Sequence, residues 1–518
     1  MENSHLSSDF DAKLLYFFHF SNKNVTFAAT NNHKMFSFLI SLAVLLVGYF
    51  VYGKFVEHVF SPDNRTTPAT KMSDGVDYMV LPTWKIFMIQ FLNIAGTGPI
   101  FGAIMGAKFG PSCYLWIVFG CVFAGATHDY LSGMLSMRNG GMGWPGLVGK
   151  YLGSKMQKMM LLFSVLLLML VGAVFVYSPA EILHSIGGTT LMWVFIIFAY
   201  YFIATMLPID KIIGRIYPVF AISLLFMAGA LFFVLVLKFP QLPEFWDGLG
   251  NKALTVDSSW KDSLFPCLFI TVACGAISGF HATQTPLMAR CLASEHKGRP
   301  IFYGAMITEG IVALIWAAVS SYFFYATPVP GSQIIDTPLS AGFITSAPKV
   351  AYIICNDWLG VVGGLLALLG IVAAPITSGD TALRSARLCV AEFFHIDQKP
   401  VSRRLYVSVP IFLFTILLLI WQVENPDGFK TIWQYFGWAN QTMSVVTLWM
   451  LSVYLAHKRK PYIITLIPAM FMTMVCSSFF LMSPQMLHLG SVLGYSLAAL
   501  FTIIVTGVFL RKAVCTHK

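Results

Sequence analysis

Charge is scarce in this chain of 518 residues: Asp, Glu, Lys and Arg together make up 11%, where a soluble domain carries about a quarter. A surface so poor in charge cannot face water all round. With 57% hydrophobic residues and a mean hydropathy of +0.73, the chain reads as a polytopic membrane protein. Metal-site spacing is also missing. The nine cysteines form no C-x-x-C pair, and the twelve histidines contain no H-E-x-x-H and no Cys/His cluster with zinc spacing, so no metal centre is expected. No Walker-type phosphate loop occurs, which removes ATP hydrolysis as an energy source. No nucleophile and base stand at reachable spacing on one helix, which argues against an enzyme. The 45 Phe, 25 Met and 12 Trp suit lipid-facing surfaces, and no cofactor is expected from them.

What is present is a series of long apolar runs. A span needs roughly 20 residues at about 1.5 Å rise each, and segments 36–56, 85–107, 112–136, 159–178, 188–207, 216–237, 263–289, 301–325, 358–382, 404–421, 430–456, 461–482 and 491–510 qualify. That predicts an all-α fold of about 13 transmembrane helices. The net charge of +10 does not mark a nucleic-acid partner, because Lys and Arg alternate by loop. Loops 137–158, 208–215, 290–300, 383–403 and 457–460 and the tail from Arg511 hold most of them. Positive loops stay cytoplasmic, so Lys150, Lys458 to Lys460 and the C-terminus are expected inside, and Trp246 and Lys430 outside.

Two of the apolar runs are interrupted near their middles by polar and helix-breaking residues. The first reads Gln90-Phe-Leu-Asn93-Ile-Ala-Gly96-Thr97-Gly98-Pro99 and the second Gly275-Ala-Ile-Ser278-Gly279-Phe-His281-Ala-Thr283-Gln284-Thr285-Pro286. Unwound backbone at membrane depth survives only where protein or a wet cavity covers it. The interruptions lie five segments apart, an odd number, so a second five-helix unit enters the bilayer from the opposite side. That is the arrangement of inverted-repeat transporters. The organisation expected is a polar lead over 1–34, whose true start is either Met1 or Met35, then a helix and loop over 35–84, a first repeat over 85–238 and an extracellular loop over 239–262. A second repeat covers 263–456, and two terminal helices with a cytoplasmic tail cover 457–518. Residues 339–356 are too short and too interrupted to span, and read as a re-entrant or surface lid.

Candidate substrate contacts gather at the breaks: Gln90, Asn93, Gly96, Thr97 and Gly98 in the first, Ser278, Gly279, His281 and Gln284 in the second. Half-helices starting at Gly98 and Gly279 would point positive dipole ends at a substrate carboxylate. A competing reading takes Gly98, Gly102 and Gly106 as a small-residue packing stripe. Candidate coupling residues are Asp129, which needs a partner and could find one in Arg138, and Glu309, with no basic residue at helical spacing. Thr377, Asp380, Thr381 and Arg384 share one helix face, and an Asp380–Arg384 pair is expected there. Thr377 and Ser378 keep hydroxyl oxygens free for a hard cation.

Six motifs together resemble the carbon starvation protein A family: Gly96-Thr-Gly-Pro-Ile-Phe-Gly102, Phe123-Ala-Gly-Ala-Thr-His-Asp129, Ser278-Gly-Phe-His-Ala282, Tyr303-Gly-Ala-Met-Ile-Thr-Glu309, Asp380-Thr-Ala-Leu-Arg384 and Phe436-Gly-Trp-Ala-Asn-Gln441. The resemblance covers roughly residues 85 to 456. It implies a multi-pass transporter of the bacterial cytoplasmic membrane, associated with peptide and pyruvate uptake under carbon starvation, with a LeuT-type five-plus-five inverted repeat. It also implies a cation site at Ala374-x-x-Thr377-Ser378, where Pro375 departs from the LeuT-type pattern. The coupling ion is left between Na+ and H+, with no other cofactor. The expected function is symport of small carboxylates; the alternative is a membrane sensor or channel using the same cavity. The partners expected are the substrate and the lipid bilayer, with oligomeric state open.

Overall fold

The computed structural model describes residues 35–75, 77–207, 213–249, 263–325, 347–425 and 428–514, and every regular element among them is helical. A leading helix α1 (Phe36–Phe60) precedes the first broken span. That span is α2 (Thr83–Ile94) and α3 (Gly98–Phe109), bent by 52° about the break. It is followed by α4 (Ser112–Phe119), which runs through a π-helical turn at Gly120–Gly125 into α5 (Ala126–Arg138). Helices α6 (Trp144–Leu152), α7 (Ser154–Ile186), α8 (Thr190–Met206) and α9 (Ile213–Lys238) complete the first half. The second broken span has a short first part over Leu264–Leu268 and Phe269–Thr271, then α10 (His281–Ala289). After it come α11 (Glu295–Phe323), α12 (Ala347–Phe393), α13 (Val401–Glu424), α14 (Gly428–His457), α15 (Ile463–Met482) and α16 (Ser491–Phe509).

Among the described residues eight helices are long and apolar enough to cross a membrane, and nine if α2 and α3 count as one bent span. The other expected spans are shorter, as α8 is, or have their apolar runs cut by polar and Gly residues. Expected and observed boundaries agree closely where apolar runs are clean, as at Val401–Glu424, Ile463–Met482 and Ser491–Phe509. Of the segment 339–356, the residues before 347 lie outside those described. The rest is the start of α12, which turns at Gly360 through φ 66°, a conformation open to Gly without a Cβ penalty.

The two breaks pack directly on each other. A Cβ on Gly98 would stand 2.2 Å from Cys274 Cβ, one on Gly102 3.0 Å from the Thr271 carbonyl, and one on Gly106 2.2 Å from a Val272 methyl. The Gly98-Gly102-Gly106 stripe is therefore a packing surface, and what it packs against is the second break. Helix α7 lies along α12, and α10 against α5. These contacts bring residues of the two halves together at the breaks.

Candidate functional site

In the first break the chain leaves the helix after Ile94 and restarts at Gly98, where the amides of Ile100 and Phe101 both bond the Thr97 carbonyl. Gln90, Asn93 and Thr97 are fully buried. The side-chain N and O atoms of all three have no hydrogen-bond partner among the described residues. Buried polar groups are normally satisfied, so a cluster of three at a helix break is the arrangement a polar ligand would complete. Phe175 of α7 closes one side: a Cβ on Gly96 would meet its ring at 2.8 Å, and the ring stands edge-on to both Phe280 and Phe436.

The second break is held differently. Asn440 of α14 accepts from Phe280 N at 2.7 Å and from Ser278 Oγ at 3.0 Å. Its side-chain carbonyl thus sits at the start of α10, where the sequence reading places a substrate carboxylate. Gly279 is pressed against α14, where a Cβ would come within 2.3 Å of Asn440 O and Ser444 N. Gly279 and Ser278 are consequently packing and capping positions, not open ligand contacts. The helix start at Gly98 is packed as closely, against Cys274; it differs in that the polar side chains beside it, Gln90, Asn93 and Thr97, have no hydrogen-bond partner among the described residues. Gln284 donates to Thr283 Oγ1 at 2.8 Å and leaves its carbonyl oxygen unpartnered.

Behind the breaks runs a buried acid and base chain. Asp129 of α5 lies 2.8 Å from His128 Nδ1 through one oxygen and 2.8 Å from His281 Nδ1 through the other. His281 Nε2 stands 3.5 Å from Glu309 Oε2, and all four side chains are buried. The expected Asp129–Arg138 pair is absent: Arg138 bonds Glu295 at 2.8 and 3.0 Å, because Asp129 points inward across α10. Glu309 has its basic neighbour after all, on another helix. An imidazole held by a carboxylate on Nδ1 presents Nε2 in a fixed tautomer and orientation, here toward Glu309. Cys274, His281 and Glu309 place potential ligand atoms within 4.8 Å of one another, but the Cys274 thiol is already engaged with Ser278 and Asn440.

On α12, Thr377 Oγ1 donates to the Ala373 and Ala374 carbonyls, each at 2.9 Å, and Ser378 Oγ donates to Leu92 O of α2 at 2.8 Å. With both hydroxyl hydrogens spent on carbonyls, the lone pairs stay available to a cation beside the first break. Pro375 keeps its carbonyl bonded to Tyr201 of α8 at 3.0 Å. Asp380 is met by Tyr217 of α9 at 2.7 Å rather than by Arg384. Arg384 is drawn to the Ala204 and Leu207 carbonyls at 2.6 and 2.9 Å and to Asp77 at 3.8 Å.

Where loops 137–158, 290–300 and 383–403 converge there is a cavity of about 320 Å³, lined in part by Asp77, Tyr78, Asn139, Arg290, Glu392 and Gln398. A smaller space of about 10 Å³ continues from Arg290 and Glu392 to Thr283 and Ser385, which is room for about one water. Glu392 holds the mouth together, accepting from Gly143 N at 3.0 Å through each oxygen and from Arg290 at 3.3 Å. Three loops expected on the cytoplasmic side thus share one face. Asn440, Phe175 and Glu392 are site residues the sequence reading missed. Only Asn440 left a signal, as a polar residue inside a motif.

Comparison with known proteins supplies the remaining constraint. The family model described as carbon starvation protein CstA matches residues 33–191, 177–351 and 353–478. An uncharacterized membrane protein of Haemophilus influenzae is 45% identical over 60% of this chain and 95% of its own. The peptide transporter CstA of Escherichia coli is 25% identical, covering 84% of this chain and 79% of that protein. The pyruvate/proton symporter BtsT of the same organism is 26% identical, covering 86% and 82%. Among solved structures, MhsT in complex with L-phenylalanine superposes with a TM-score of 0.51 at 12% identity, over 82% of this chain and 98% of that one. A manganese transporter of Eremococcus coleocola gives 0.51 at 12%, over 86% and 99%. These likenesses show the fold alone.

Proposed function

This chain belongs to the carbon starvation protein CstA family, and from that membership we propose that it is a symporter of the bacterial cytoplasmic membrane that imports small carboxylates such as pyruvate or peptides. The observation that carries the reading is the pairing of a first break in which buried Gln90, Asn93 and Thr97 have no hydrogen-bond partner among the described residues with a buried Asp129–His281–Glu309 group at the second. Substrate binds between the breaks, its carboxylate at the start of α3, where the helix dipole favours an anion. The repeats then rock about that site, and the acid and base chain carries the coupling proton. In this reading the cavity near Glu392 opens to the cytoplasm, and the C-terminus lies on the same side. CstA and BtsT of Escherichia coli are transporters, which supports reading the chain as a transporter and not as an enzyme.

Uptake into proteoliposomes under an imposed pH gradient tests the reading. Accumulation above the external concentration is expected, lost on adding a protonophore; flux without accumulation would indicate a channel instead. The same assay tests the carboxylate. Amidated or esterified analogues should compete at least tenfold more weakly than free acids, as a lost hydrogen bond to a charged group costs about 1.5–3 kcal/mol. Equal competition would remove the helix-start contact.

A second coupling reading rests on the turned-away hydroxyl hydrogens of Thr377 and Ser378, which leave the hydroxyl oxygens to a Na+ ion, while the Ala374 carbonyl already accepts from Thr377. Replacing both by Ala removes two ligands from a site needing about six. If Na+ couples transport, sodium-driven uptake should collapse in the double variant while substrate exchange persists. Unchanged uptake in a sodium gradient would leave the proton as the coupling ion.

A further inference from the structure

Three side chains of different chemistry gather at the second break with ligand atoms to spare. Cys274 lies in the unwound stretch between Thr271 and α10, His281 opens α10, and Glu309 stands on the neighbouring α11. Their potential ligand atoms lie within 4.8 Å of one another, and all three side chains are buried. His281 Nε2 and both oxygens of Glu309 have no hydrogen-bond partner among the described residues. Nε2 and Oε2 nevertheless face each other at 3.5 Å. That separation is close to the edge of a tetrahedron with metal–ligand bonds of about 2.1 Å, which is about 3.4 Å.

An imidazole nitrogen, a thiolate and a carboxylate together suit a borderline-soft divalent cation such as Zn2+, whereas Mg2+ and Ca2+ take oxygen ligands. His281 is already held as a metal-binding imidazole is: its Nδ1 lies 2.8 Å from Asp129 Oδ2, which fixes the ring and leaves Nε2 as the free nitrogen. Asp129 is steadied in turn by His128 at 2.8 Å. The charge closes too. A divalent ion with one thiolate and one carboxylate is formally neutral, so its burial avoids the cost of a bare ion. The contacts of the Cys274 thiol, with Ser278 Oγ at 3.7 Å and Asn440 Nδ2 at 3.8 Å, are long. Asn440 donates in the second, so it serves a thiolate as well as a thiol. Metal binding releases the thiol proton to solvent. Cys274 lies outside the helices, so drawing its sulfur toward the other two ligands breaks no helical ladder.

We infer that Cys274, His281 and Glu309 form a binding site for Zn2+ or a cation of its class, and that the bound ion staples the second break in one arrangement. Cys274 and His281 flank the unwound stretch and Glu309 belongs to the next helix, so a single ion ties together parts that shift when the repeats rock. Three protein ligands leave a fourth tetrahedral position open, which suits an exchangeable ion. Such an ion is a reversible inhibitor: it occupies the atoms that the coupling proton uses, and by fixing the break it stops substrate exchange as well as accumulation. The effect on uptake rests on the symport proposed above, but the site itself does not.

Titration of the purified full-length protein in nanodiscs with Cd2+, each point followed to a constant signal, reads the site without transport, because Cd2+ on a thiolate gives an ultraviolet charge-transfer band. The protein carries Cys515→Ser and His517→Ala, which remove the Cys and His of the C-terminal tail. One saturable band is expected, displaced by Zn2+ and not by Mg2+ or Ca2+. Cys274→Ala should lose it. Glu309→Gln should need about tenfold more Cd2+ or beyond, and so should Asp129→Asn, which acts through the orientation of His281. The absence of a band, or a band that Cys274→Ala keeps, would overturn the site. If Cys274→Ala does not fold, Glu309→Gln decides, and an unshifted titration overturns the site equally. In proteoliposomes Zn2+ should stop both accumulation and exchange, and exchange that persists at Zn2+ saturation would overturn the staple. Absence of carboxylate uptake, with the band as expected, would sink the symport reading and leave the metal site standing.

Discussion

Glu309→Gln is expected to abolish proton-driven accumulation while substrate exchange across the membrane continues. A pH gradient of one unit is worth about 1.36 kcal/mol, so a one-proton symporter holds about tenfold more substrate inside per unit. In the variant that ratio should fall to unity. The amide keeps the shape of the side chain facing His281 Nε2 at 3.5 Å but cannot take up and release a proton. Binding between the breaks involves other groups, so counterflow of labelled substrate persists. The measurement is paired: accumulation under an imposed gradient, and exchange at equilibrium. Wild-type accumulation in Glu309→Gln would remove Glu309 from coupling and favour the hydroxyls of Thr377 and Ser378.

The second large effect should come from Gly279→Ala. The new methyl would fall 2.3 Å from two backbone atoms of α14, Asn440 O and Ser444 N, and neither can swing aside as a side chain could. Overpacking of this kind costs about 1–3 kcal/mol and occasionally more, and here it also pries the second break from its cap. Uptake should be lost and the melting temperature lowered. Asn440→Ala removes the cap without the clash, leaving Phe280 N unpartnered at about 1–3 kcal/mol and Ser278 Oγ with only the Cys274 thiol. Gly229→Ala, where a Cβ meets nothing within 4 Å, is the control and should be silent. A Gly279→Ala protein with normal uptake would show that the break is not clamped by α14.

The sequence carried the architecture because its signals are local. Two interrupted apolar runs and clean spans such as Ile463–Met482 each follow from neighbouring residues and the thickness of a membrane. The bonds of Thr377 to the Ala373 and Ala374 carbonyls are local in the same sense, since they follow from helical spacing within α12. What was illegible depends on pairs far apart in the chain. Asp129 and His281 meet across 152 residues, so nearness in the chain on the expected cytoplasmic side offered Arg138 and never the true partner. The Asp380–Arg384 pair was expected from an i,i+4 rule, yet Tyr217 and two carbonyls of the first half compete better for those groups. The polar residues at the second break looked like a twin of the first. Only the packed structure shows that the second break is capped, because the cap comes from Asn440, some 160 positions away.

The clasp at the cavity mouth has a further consequence. One carboxylate, Glu392, joins the loop before α6, the end of α10 and the end of α12. Moving any one of these pieces away breaks a bond to at least one other, and the Gly143 amide and the Arg290 guanidinium that would lose it are buried. Opening is then shared by all three and proceeds between two arrangements instead of through a graded widening. A clasp of this kind has a threshold: a small fluctuation of any single helix leaves the remaining bonds of Glu392 to draw it back.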